Sequence, residues 1–279
     1  MCIRDSDIVI FTKNFEQHLD AVREVLERLR KAGLTANTKK CIFATNELHI
    51  LGHYLKDSKI YPDPNKTKVM INYPLPRTKA KLKTFLGLSS FFREFIPHYA
   101  DVAFPLTELT SRGKPDKLTW RPEHQKSFDS LKNALVSRPV LRPPDMTKDF
   151  QLWVDASKVA ISAILMQNEN ENENENFPFH GSYIICFGSR KLLPRERNYS
   201  VVELELLAIV FGLLKFNDYV WNRRVDVFSD HRPLQWLNSL VKHSQRLAKW
   251  SMLIQNYDVR THFVPGKQQI ADAFTRLEE

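Results

Sequence analysis

The chain contains no apolar run approaching the roughly 18 residues that a membrane span needs, and its start has no apolar signal-peptide core. A membrane partner and secretion are therefore not expected. Cysteine is scarce: Cys2, Cys41 and Cys186 are odd in number and widely spaced. They suit a reducing, intracellular compartment, and no metal-ligand spacing joins them. No base-reading motif is visible either, so any nucleic acid would be gripped through its backbone rather than its sequence.

What is present suggests a folded, basic chain. The 279 residues suffice for two domains, and 43% hydrophobic content can fill sizeable cores. Net charge is +9 and the pI about 9.4. Clustered Lys and Arg neutralise phosphates and release counterions, so a polyanion is the partner class this balance favours. Aromatics at 11% fit base stacking and core packing equally.

Along the chain, Ile8-Val9-Ile10-Phe11 reads as a short buried strand. Asn14 follows as a helix N-cap with Gln17 as its capping-box partner. Leu19, Val22, Val25, Leu26 and Leu29 recur at helical spacing, and Gly33 ends the helix. Strands are expected at 41–43 and 48–55. Pro62, Pro64, Pro74 and Pro76 mark a change to a helical, basic stretch from 65 to about 139, with Phe128, Leu131 and Leu135 on one helix face. Pro139, Pro143 and Pro144 read as a linker. Beyond it the order is strand (150–156), strand (160–166), strand (183–187), helix (201–216), strand (225–229), helices (232–238 and 244–255), strand (257–264) and a short final helix. That order describes a mixed α/β sheet. The Asn/Glu tract 168–176 has no apolar content and is expected to be a mobile hairpin loop.

Acids stand at comparable places in this second region. Asp155 ends its first strand, Asp230 ends its fourth, Glu203 and Glu205 lie in the first turns of its long helix, and Asp272 opens the last helix. Strand ends and helix starts can converge on one edge of a sheet. Several carboxylates there suit phosphodiester hydrolysis, where two Mg²⁺ ions about 4 Å apart stabilise both the attacking and the leaving oxygen. Mg²⁺ takes oxygen ligands and keeps waters, so neither Cys nor His is needed. A single Asp at a strand end is more often a turn former; the set of acids in this order carries the functional reading. Periodicity does not choose between Glu203 and Glu205, which sit about 200° apart on a helix that is apolar nearly all round.

These residues resemble the ribonuclease H domain of gypsy-class long-terminal-repeat retrotransposon Pol polyproteins. The stretches carrying the resemblance are Asp155-Ala156-Ser157, Gly188-Ser189-Arg190-Lys191-Leu192, Asn198-Tyr199-Ser200, Glu205-Leu206-Leu207-Ala208, Ser229-Asp230-His231, Pro265-Gly266 and Ala271-Asp272-Ala273. Upstream, Leu51-Gly52-His53, Phe85-Leu86-Gly87-Leu88 and Phe92-Arg93-Glu94-Phe95-Ile96 look like the thumb and connection of the same polyproteins. The implied organisation is a truncated reverse transcriptase palm (1–60), a mainly helical thumb/connection (61–147) and a ribonuclease H-like domain with a five-stranded mixed sheet (148–277).

The resemblance implies that Asp155, Glu205, Asp230 and Asp272 are catalytic, metal-binding acids holding two Mg²⁺, with Mn²⁺ able to substitute. Glu205 is preferred because Leu206-Leu207-Ala208 follows it, and Glu203 stays the alternative. His231 is read as structural or substrate-facing. The implied partner is an RNA·DNA hybrid, of which the RNA strand is cut, together with other Pol and Gag products in the cytoplasmic virus-like particle of the full element. Lys79, Lys81, Lys83, Arg190, Lys191 and Arg195 are candidate phosphate contacts. Departures exist. Ala160-Ile161-Ser162-Ala163 lacks the family's glycines, and Phe263 stands where Tyr is frequent. Asp7 matches the second Asp of the polymerase motif, while Arg4 and Ser6 break that motif and residues 1–6 look foreign to it. Polymerase activity is not expected. The alternative function is a non-catalytic nucleic-acid-binding remnant or pseudogene product.

Overall fold

The computed structural model describes residues 8–12, 14–136, 140–169, 181–230 and 245–265. It divides into two units, Met1–Leu48 and His49–Glu279. In the first unit, helix α1 (Phe15–Lys31) starts where Asn14 Oδ1 accepts the Gln17 N–H at 2.9 Å. It ends on Gly33 at φ 68°, with Leu34 N–H donating to Leu29 O at 2.9 Å. Glycine suits that left-handed position because it carries no Cβ. No α1 residue is buried, so the apolar stripe read from the sequence is not packed as expected. The strand expected at 8–11 is not formed, and Phe11 is 90% exposed. A β-branched run becomes a strand only against a partner, and none pairs with it among the described residues. The strand expected at 41–43 is likewise absent, and Asp7 lies outside the described residues.

Strand β1 (Glu47–Ile50) spans the division between the units. The single strand expected over 48–55 is broken by a turn at Leu51-Gly52, both left-handed (φ 47° and 82°). A Cβ on Gly52 would collide with the Phe91 ring. In the second unit β2 (His53–Lys56) pairs antiparallel with β3 (Lys59–Pro62). Their two-residue turn, Asp57-Ser58, has positive φ at both positions, the handedness that matches strand twist.

Five helices follow: α2 (Pro64–Ile71), α3 (Lys79–Phe91), α4 (Tyr99–Val102), α5 (Phe104–Leu109) and α6 (Pro122–Val136). Asp63 and Thr78 cap α2 and α3 through their side-chain oxygens. Met70, Leu82, Phe85, Leu106, Leu131 and Leu135 are buried together, with the Phe85 and Phe128 rings 4.5 Å apart. Among the described residues no helix is long and apolar enough to cross a membrane.

The rest is the expected mixed sheet. Its strands are β4 (Phe150–Ala156), β5 (Ala160–Asn168), β6 (Ser182–Lys191), β7 (Arg224–Ser229) and β8 (Asp258–Phe263), in the order β6-β5-β4-β7-β8. The first three are antiparallel and the joins to β7 and β8 are parallel. Helices α7 (Val201–Lys215), α8 (Asn217–Val220) and α9 (Gln245–Ile254) complete it. The expected loop at 168–176, the helix at 232–238 and the final helix fall wholly or mostly outside the described residues.

Both faces of the sheet are covered. Paired residues share a face, and Gly188 pairs with Ala163, which pairs with Val154. On that face Gly212 of α7 lies against Leu152 and Ala163, and Gly188 lies against Phe216. Asp155, Ser162 and Ser189 are also paired across, on the opposite face. There His98 and Ala100 contact Ser162 and Ser189, so the helical segment supplies part of the cover. A Cβ on Gly212 would lie 3.0 Å from the methyls of Leu152, itself fully buried. Gly212→Val is therefore expected to lower the unfolding free energy by about 1–3 kcal/mol through overpacking, measured by denaturant titration.

Candidate active site

Strand register builds the acidic pair. Trp153 of β4 is paired with Phe228 of β7, and their rings stack at 4.2 Å. Asp155 and Asp230 each lie two residues beyond that couple, which carries both carboxyls to the same end of two neighbouring parallel strands. Burial raises the Asp155 carboxyl above its ordinary value, His98 works in the opposite direction, and the negative charges of Asp230 and Asp101 add to the rise.

The two glutamates of α7 have different surroundings. Glu203 completes a capping box: Ser200 Oγ accepts the Glu203 N–H at 3.3 Å, and Glu203 Oε2 accepts the Ser200 N–H at 2.9 Å. It also pairs with Arg246 at 2.9 Å. Glu205 is 3% exposed, and its Oε2 accepts from Ser229 Oγ at 3.2 Å. Ser229 immediately precedes Asp230, so Glu205 points at the acidic strand end while Glu203 holds the helix start.

Among the described residues no three carboxylate, imidazole or thiolate groups stand close enough to share an ion. Asp272 and His231 lie outside the described residues. Asp155 and Asp230 by themselves fit a hard divalent cation: both offer oxygen, and the charge of Asp230 adds to the cost of charge on Asp155.

The basic residues fall into three groups. Lys81 and Lys83 are exposed on α3, while Lys79 Nζ donates to Lys114 O at 2.8 Å. Arg190 and Lys191 are engaged within the fold. Arg190 forks onto Glu196 at 2.6 and 3.1 Å, and Lys191 pairs with Glu108. Burial works to raise the Glu196 carboxyl, but hydrogen bonds from Arg190 and the Leu193 N–H outweigh it and hold the group below its ordinary value. Arg195 is exposed at a groove of about 680 Å³ shared with Tyr199, Arg246, Lys249 and Trp250. The Arg246 guanidinium lies 4.0 Å above the Tyr199 ring, a cation–π distance. Of these five, Arg195 alone is a phosphate-contact candidate from the sequence, and Tyr199 enters there only within the Asn198-Tyr199-Ser200 stretch. The available signal was the spacing of Arg246, Lys249 and Trp250, which three- and four-residue steps bring to one helix face. His98 and Asp101, beside Asp155, had no signal of their own because they come from a segment more than fifty residues upstream in the chain.

Known proteins are similar to this chain in sequence and in fold. Residues 145–257 match the family model of the RNase H-like domain found in reverse transcriptase. The retrovirus-related Pol polyprotein from transposon 297 of Drosophila melanogaster is 36% identical over 98% of this chain and 24% of its own length. That from transposon opus is 33% identical over 97% of this chain and 27% of its own length. The Tf2-3 polyprotein of Schizosaccharomyces pombe is 29% identical over 99% and 20%. The chain thus spans about a quarter of the length of these relatives. Among solved structures, the foamy viral protease-reverse transcriptase in complex with RNA/DNA hybrid superposes with a TM-score of 0.76 at 20% identity, over 92% of this chain and 34% of that one. This likeness supports the fold.

The Arg190–Glu196 pair yields a pH-dependent expectation. A carboxyl held below its ordinary value of 4.5 contributes stability that is present above that value and lost as pH falls through the lowered one. Arg190→Met is expected to destabilise the protein at neutral pH by about 1–3 kcal/mol. The gap from wild type should shrink on acidification, followed by thermal melts across pH.

Proposed function

We propose that this chain, whose residues 145–257 match the RNase H-like domain found in reverse transcriptase and which is similar to retrotransposon Pol polyproteins, is an endonuclease hydrolysing the RNA strand of an RNA·DNA hybrid. The observation that carries this reading is the convergence of Asp155 and Asp230 at one sheet end, with Glu205 buried against Ser229 beside them. Asp155, Glu205, Asp230 and Asp272 are the residues that would hold two Mg²⁺ or Mn²⁺ ions. Held by these carboxylates, such ions would lower the pKa of a water to make it a nucleophile and would offset charge on the departing alkoxide.

The chain's own residues do the remaining work. Burial of Glu205 and the stacked Trp153–Phe228 rings fix the acidic end of the sheet in place. Arg195, Arg246 and Lys249 present positive charge to a phosphate backbone, and Tyr199 and Trp250 offer flat faces beside it. Recognition of the 2′-hydroxyl would distinguish the RNA strand. Lys81 and Lys83 extend the basic surface. In the full element the other Pol and Gag products and the virus-like particle would be this domain's setting. No polymerase step is assigned to the chain.

Two substitutions in one helix separate chemistry from stability. Glu205→Gln is expected to abolish cleavage of a labelled hybrid in Mg²⁺ while hybrid affinity stays within a few-fold. Glu203→Ala, which removes the returning half of the capping box, is expected to weaken the helix start by about 0.5–2 kcal/mol and leave cleavage in place. A wild-type chain that binds hybrid and leaves its RNA intact in both Mg²⁺ and Mn²⁺ would make it a non-catalytic binder.

The groove has its own test. Lys249→Ala should weaken hybrid binding across all sequences and reduce the slope of log affinity against log salt by about one. An unchanged slope would remove Lys249 from the phosphate contacts.

A further inference from the structure

The face of the sheet bearing Asp155 is closed by the short segment 98–101, contributed by the helical region that precedes the sheet. His98 occupies the left-handed region at φ 47° and ψ 33°, which is uncommon and costly for a residue with a side chain. That backbone turns the imidazole onto the sheet. Its Nδ1 shares a 2.8 Å hydrogen bond with Ser162 Oγ and stands 3.7 Å from Asp155 Oδ2. Ser162 is the cross-strand partner of Asp155. Three residues on, Asp101 accepts a hydrogen bond from Ser157 Oγ. Ser157 Oγ in turn accepts the N–H groups of Val159 and Ala160 at 3.1 and 2.9 Å, closing the turn that follows Asp155. Between these two anchors the Ala100 N–H donates to Ser189 Oγ at 3.0 Å.

We propose that His98 and Asp101 are positioning residues for Asp155, so that the metal-binding geometry of the sheet is set in part by the helical region upstream. The inference rests on Asp155 being a metal ligand, as proposed above. Two of these contacts fall on residues next to Asp155, Ser162 across the ladder and Ser157 two positions on, and the third ties the segment to Ser189 on the next strand. His98 stands beside the carboxyl itself, Asp101 fixes the turn that follows it through Ser157, and neither anchor belongs to the sheet domain. The left-handed backbone at His98 is a local penalty that the surrounding packing sustains, and its result is an imidazole at Asp155. Partners of ligating side chains typically contribute about 10–100-fold to metal affinity or activity.

The test compares wild type with His98→Gly and His98→Asn by Mn²⁺ titration calorimetry, hybrid cleavage and thermal melting. Glycine accepts the left-handed backbone and removes the imidazole. Asparagine also tolerates that backbone and keeps a polar atom where Nδ1 stands. His98→Gly is expected to weaken Mn²⁺ binding by about 10–100-fold and to slow cleavage in parallel, with an unchanged melting temperature. His98→Asn is expected to recover most of both. Asp101→Asn gives a second, milder variant that keeps an acceptor for Ser157 and should lie near wild type, whereas Asp101→Ala should not. Mn²⁺ affinity in His98→Gly within twofold of wild type overturns the proposal, as does an equal loss in His98→Gly and His98→Asn. A wild type that binds Mn²⁺ but cuts nothing defeats the nuclease reading and leaves the positioning claim to stand on affinity. A wild type that binds no Mn²⁺ overturns both.

Discussion

The larger unit depends on burial of the central strand β4 from both sides. Phe150 and Leu152 are fully buried, and Trp153 and Val154 nearly so. A strand apolar on both faces needs two covers. On one side α7 provides it, lying so close that a Cβ at 212 or at 188 would press on its neighbours at 3.0–3.1 Å. On the other, part of the cover comes from the upstream helical segment, through His98, Ala100 and Asp101. Removing water from both faces also fixes the electrostatics of the strand end, where Asp155 sits with its carboxyl raised.

That double cover ties architecture to chemistry. The α7 face brings Glu205 to Ser229, the residue before Asp230. The parallel join of β4 to β7 brings Asp230 to Asp155. The upstream segment reaches Asp155 from the remaining side. Ion pairs seal the same boundary: Lys191 with Glu108 and Lys215 with Glu94 join the sheet domain to the helical region. A hydrogen bond from the Arg142 N–H to Ile184 O at 2.9 Å and the bridge between Ile60 and Leu141 extend it along the β6 side. The helical region is thus part of the sheet domain's structure as well as a candidate grip on nucleic acid.

Much of this was legible in the residues. The strands at 150–156 and 225–229 and the helix at 201–216 were read within a residue or two of their observed limits, because apolar runs bounded by turn residues carry strong local signals. The carboxylates could be placed at strand ends for the same reason. Other features were not legible. The β2–β3 hairpin turns on Asp57-Ser58 rather than an Asn-Gly or Asp-Gly pair, so its left-handed geometry had no glycine to announce it. The run Ile8–Phe11 had strand composition without a pairing partner among the described residues. Arg190 and Lys191 looked like free cations until the fold set Glu196 and Glu108 against them.

The sequence by itself determined the order and type of the described strands and of the long helix in the sheet domain, and it placed candidate acids at their ends, since periodicity and end signals are properties of neighbouring residues. It also carried the family resemblance, which follows from motifs in a fixed order. The resemblance preferred Glu205, but only the tertiary structure gave a physical ground for the choice: Glu203 is bound into its own helix cap and Glu205 is buried against Ser229. The tertiary structure alone gathered the groove of Arg195, Tyr199, Arg246, Lys249 and Trp250, and set His98 beside Asp155. The reason is physical. Which face a side chain takes and which charge it meets depend on residues tens of positions away, brought close by burial of the sheet, and no local pattern encodes that distance.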